Sequence, residues 1–124
     1  MEDWKTELYY PTIQDAIKAS QIATDFAERM INRLPPDDHE QFLCQNCNDA
    51  ARMFYSSVKK NNSYTKDAID LESATIFANI TIQTAINAAN EASMSIEQFK
   101  YGKCDFMNPK AYRNRELLML LIKN

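Results

Sequence analysis

Cys44 and Cys47 are separated by Gln45 and Asn46, the spacing of a redox pair. Redox pairs work at the start of a helix that follows a strand, where the helix dipole lowers a thiol pKa. Here the motif falls inside a helical pattern, and Cys47 lies on that helix's apolar seam. Buried structural thiols are the expectation. Zinc is the rival chemistry, because His39, Cys44, Cys47 and Cys104 are of ligand types that zinc accepts. His39 and Cys104 lack the close spacing that makes zinc motifs specific, so no metal and no cofactor is assigned.

His39 is the single histidine of the chain. A di-iron bundle built on paired Glu-x-x-His motifs is thereby excluded. A nucleophilic triad would have to be built around this one residue. Beside Asp37, Asp38 and Glu40 it reads as an exposed first-turn residue instead.

Two carboxylate pairs, Asp25/Glu28 and Asp67/Asp70, each fall on one face of a helix. All-α nucleotide pyrophosphohydrolases use such pairs from two helices to hold magnesium over a triphosphate. Acidic pairs are also ordinary on solvated faces, and Asp67 is expected in a first turn, where the dipole favours it. A magnesium-dependent hydrolase using these four residues is the alternative reading. The main one is non-catalytic.

Charge is unevenly spread. Residues 1–99 carry 8 Lys/Arg against 15 Asp/Glu, whereas residues 100–124 carry 6 against 2. Lys110, Arg113 and Arg115 cluster with Tyr112 and could meet an acidic partner. An acidic body repels phosphate, so nucleic acid is not the expected partner.

The elements that must position these residues are helices. One glycine, Gly102, in 124 residues cannot supply the positive-φ positions that sheets and hairpins need. The expected fold is an all-α, single-domain bundle of four to five helices, with residues 1–11 as an arm. The helices fall at about 12–34, 38–60, 65–92, 95–101 and 109–123. Thr12 with Asp15, and Ser95 with Gln98, read as capping boxes. Pro35-Pro36 stops the first helix, Asn61-Asn62-Ser63 makes a turn, and Asn108-Pro109 opens the last helix, where Leu117, Leu118, Leu121 and Ile122 pack inward.

The third helix is unusual. Residues 73–90 carry no charge. One face reads Leu71, Ala78, Ile82, Ala85, Ala89 and Ala92, and a second carries Ile69, Ile76, Phe77 and Ile80. A helix apolar on two faces is either central in its bundle or shared with a partner. Asn79, Gln83, Asn87 and Asn90 make membrane insertion too costly. Residues 79–84 alternate like a strand, but the alanine-rich continuation favours helix.

The opening Met1-Glu2-Asp3-Trp4 lacks the basic and apolar segments of a secretory signal. The odd cysteine count argues against a disulfide framework. A cytoplasmic location is expected, in which Asn61-Asn62-Ser63 and Asn79-Ile80-Thr81 are chance matches to the glycosylation pattern. With the common catalytic sets missing, the expected function is protein binding. An immunity or antitoxin-like neutraliser or a phage-type inhibitor fits, an export chaperone is a further alternative, and a homo-oligomer is possible. The candidate interface is Ile69, Ile76, Phe77 and Ile80, together with Lys110, Tyr112, Arg113 and Arg115.

Overall fold

The computed structural model describes residues 7–35, 45–101 and 113–123, with the backbone alone for 45, 46 and 101. These residues form four helices and no strand: α1 (Ile13–Ile31), α2 (Gln45–Asp67), α3 (Leu71–Tyr101) and α4 (Asn114–Lys123). The fold is the all-α bundle that the glycine count predicts.

Local chemistry sets the helix ends. Thr12 caps α1, accepting the Asp15 backbone N–H at 3.1 Å while its hydroxyl donates to the Asp15 carboxylate at 2.8 Å. The α-helix ends at Ile31, short of the expected 34. Arg33 and Leu34 instead make tight bonds back to Met30 and Ile31, both 3.1 Å, just before the proline pair.

Three boundaries differ from expectation. The turn at Asn61-Asn62-Ser63 does not form, and α2 runs on to Asp67. Asn62 is buried there, accepting the Ser20 hydroxyl at 2.7 Å and donating to the Gln21 side chain at 3.3 Å. Asn61 donates to the Ser57 carbonyl at 2.8 Å. Residues that favour turns when solvated are here satisfied inside a helix. Asp67 therefore closes α2 rather than opening α3. That opening falls to Asp70, which accepts the Ser73 N–H at 2.7 Å.

Expected helices at 65–92 and 95–101 are one helix, α3. Ser95 is no cap. It is buried in mid-helix, its hydroxyl donating to Asn48 of α2, and no breaker separates it from the preceding turn. Residues 79–84 are helical. Thr81 and Thr84 return their hydroxyls to the carbonyls of Phe77 and Ile80, at 2.7 and 2.8 Å. The expected caps of α2 at Asp37 or Asp38, the seam residue Leu43, Gly102 and Pro109 lie outside the described residues.

α3 packs against α1 and α2, which also touch each other, and α4 lies across α1 and α3. Ala78, Ile82, Ala85, Ala89 and Ala92 are wholly buried, as their spacing predicts. Their small side chains let the helices approach closely, around a core that includes Ala23, Ala27, Val58 and Leu118. Leu71 departs from the pattern and is exposed at the helix start. On α4, Leu118 is buried and Ile122 half-buried, but Leu117 and Leu121 face solvent rather than the core. Among the described residues no helix is long and apolar enough to cross a membrane.

Candidate functional site

Among the described residues the chemistry-bearing side chains do not converge. Asp25 and Glu28 are exposed on α1, where Asp25 accepts from Gln21 at 3.0 Å. They face Tyr55 of α2, whose pKa is raised first by partial burial and then by the charges of Glu28 and Asp25. Lys59 sits 4.8 Å above the same ring. Asp67 and Asp70 lie at the α2–α3 junction, with Asp70 engaged as a cap. Among the described residues no three His, Cys, Asp or Glu side chains gather as a metal site.

Cys47 is buried, as its place on the seam predicts, but it is disulfide-bonded. That corrects the expectation of free thiols, and a disulfide sulfur is not the thiolate that zinc binds. Its bonding partner, like His39, Cys44 and Cys104 themselves, lies outside the described residues.

Three of the apolar candidates, Ile76, Phe77 and Ile80, lie on adjacent turns of α3. The arm at Leu8–Tyr10 is clasped to α3 by one side chain, Asn79. Its amide oxygen takes the Leu8 N–H at 3.3 Å and the Tyr10 hydroxyl at 3.2 Å, while its nitrogen donates to the Leu8 carbonyl at 2.9 Å. Burial lifts the Tyr10 pKa to about 12. The clasp leaves Tyr9 87% exposed beside Ile76, which is 51% exposed. Tyr9, Tyr10, Leu71, Glu72, Thr75 and Ile76 line a shallow groove of about 410 Å³. One turn along, Ile80 is also exposed, and Ile69 in the α2–α3 connection is 92% exposed. Phe77 is half-buried, its ring 5.3 Å from that of Tyr64. Further along, the face turns polar through Thr84, Gln83 and Asn87, the last two bonded at 3.2 Å.

The alanine face of α3 is central in the bundle, and on a second face Ile76 and Ile80 are exposed. Of the basic candidates, Arg113 and Arg115 do not join that face. Lys110 and Tyr112 lie outside the described residues; Arg113 is exposed and Arg115 half-buried at the start of α4. α4 is anchored by Asn114 to Asn90 and Ser93, at 3.0 and 3.1 Å. That places its start about 20 Å along α3 from Ile76, at ~1.5 Å per residue.

Sequence reasoning missed Tyr9 and Tyr64, which frame the apolar face from the arm and from α2. The only signal was their aromatic type next to a turn. It also missed Leu120, exposed on α4 beside Leu117 and Leu121. The chain matches no family model, no curated protein and no solved structure.

Proposed function

We propose that this protein works by binding another protein, without catalysis, through the first half of α3 and the arm clasped to it. The carrying observation is that Tyr9 and Ile76 stand exposed at one shallow groove, with Ile80 exposed one turn along α3 and Ile69 exposed in the α2–α3 connection, while the alanine face of α3 is buried. Contiguous apolar surface of this kind marks binding sites. Burying one large aliphatic side chain contributes roughly 1.5–3 kcal/mol. Several together are of the order of the cost of association, so the polar turns around them must complete an interface of ordinary size. A neutraliser of the immunity or antitoxin type, a phage-type inhibitor, and self-association are the forms this binding would take.

The disulfide at Cys47 supports a working location where disulfides persist. We prefer that to the cytoplasmic location that free thiols would favour. Site-specific photo-crosslinking tests the surface. A photoreactive residue at Ile76 is expected to trap one protein species, or a second copy of the chain. The same residue at the exposed Lys60 on α2 is expected to trap none. Equal labelling from both positions would refute the assignment.

A further inference from the structure

A second cavity, open on one side to solvent, lies at the other end of α3. It has a volume of about 390 Å³ and is bordered by the end of α1, the last turns of α3 and the start of α4. Phe26, Met30, Ile96 and Leu117 give it apolar walls, and it is also lined by Arg29 of α1, Arg33 of the turn that follows α1 and Lys100 of α3. Among the described residues none of these three cations forms an ion pair; the guanidinium of Arg33 contacts only the Met30 sulfur there, at 3.9 Å. Glu97 is the one anionic side chain in the lining. The floor is built. Asn114 is 4% exposed, and its amide nitrogen is fixed by Asn90 and Ser93.

Cations near the ends of α1 and α3 have an ordinary role in offsetting the negative ends of those helix dipoles. That role asks only that each cation lie near its own helix end. It does not require cations of separate segments to line one apolar cavity, nor leave them without carboxylate partners. Net positive charge over greasy walls is complementary to a molecule that is anionic at one end and apolar at the other. The volume sits at the low end for ligand pockets, so the molecule must be small.

We infer that this cavity binds a small amphipathic carboxylate, its apolar body against Phe26, Met30, Ile96 and Leu117 and its head between Arg29, Arg33 and Lys100. A carboxylate suits the guanidinium groups, which can hold it through paired hydrogen bonds. This site goes beyond the protein-binding face and lies at the opposite end of α3 from it.

Octanoate is the probe, titrated into the full chain and followed by NMR chemical shifts. Saturable shifts are expected at residues around Ile96 and Leu117. Octanol and acetate, each carrying half of the chemistry, are expected to bind at least about tenfold more weakly, a loss of ~1.4 kcal/mol or more. The double variant Arg29→Gln/Lys100→Gln is expected to lose a similar factor; both positions are exposed, so folding is retained. Ile76→Lys, on the other face, is expected to bind octanoate unchanged, so failure of one site is separable from failure of the other. No saturable binding, or equal binding of octanol, or full binding by the double variant, would overturn the inference.

Discussion

Ser20 of α1 donates its hydroxyl to the side-chain oxygen of Asn62 of α2 at 2.7 Å, with both side chains buried. The pair turns what reads as a surface turn into an inter-helix tie. Removing one partner leaves the other buried and unpaired, which costs about 1–3 kcal/mol. Asn62→Ala is therefore expected to lower unfolding free energy by roughly that amount or more. In urea denaturation, the double variant with Ser20→Ala should lose less than the two single losses added. Strict additivity would show that the bond contributes nothing.

Asn79 is expected to govern the ionisation of Tyr10. The Tyr10 pKa stands at about 12 because burial disfavours the phenolate. Its folded value lies above the unfolded one, so its contribution is intact below about pH 10 and is lost as pH rises towards 12. Asn79→Ala releases the arm and hydrates the ring. In ultraviolet titration the last tyrosine to ionise should then shift towards the ordinary range. An unchanged titration would mean that the arm holds without the clasp.

Two carboxylates should respond to acid in opposite directions. The Asp70 pKa is lowered, first by the Ser73 backbone N–H and then by the Ser73 side chain. Stability from this cap is present above the unfolded aspartate pKa and fades as pH falls through the lower folded value. Asp70→Asn keeps a cap that does not titrate, so its acid limb should be shallower than that of the native chain. Half-buried Glu91 has a pKa raised by desolvation, so its charged form is a liability at neutral pH. Glu91→Gln should be the more stable protein at pH 7, with the gain disappearing below the unfolded glutamate pKa. Melting curves across this range check both signs.

The disulfide at Cys47 should be worth about 2–5 kcal/mol, the usual loss when a native bridge is removed from a small domain. A reductant should lower the melting temperature of the native protein and leave that of Cys47→Ser nearly unchanged. Thiol titration of the denatured, unreduced chain should find one free cysteine. Three would show that the bridge is not formed.

How much of this could be read beforehand depends on what each residue signals. Gly102 standing alone ruled out sheet, Thr12-x-x-Asp15 marked the start of α1, and the four-residue steps from Ala78 to Ala92 marked the buried face. Ile76 and Ile80 were legible as surplus apolar residues because one helix face cannot hold both sets. The misreadings share a cause. Asn62 and Ser95 are polar residues whose local chemistry favours caps and turns, and only a neighbour distant in sequence, Ser20 or Asn48, makes burial within a helix acceptable. Leu117 and Leu121 failed differently, since a run rich in leucine offers several helix faces and only Leu118 turns inward. The cavity lined by Arg29, Arg33 and Lys100 was illegible because its lining comes from segments far apart in the chain.

The central claim is that the Ile76/Ile80 face of α3 is an interface rather than part of the core. The most direct test is Ile76→Lys/Ile80→Lys, examined by circular dichroism and by light scattering with and without the crosslinked partner. The account predicts an unchanged helical spectrum and melting within about 1 kcal/mol of the native chain, as for surface substitutions. It also predicts that the complex or oligomer dissociates. A double variant that unfolds would show the face to be core, and a folded one with unchanged mass and partner binding would contradict the account.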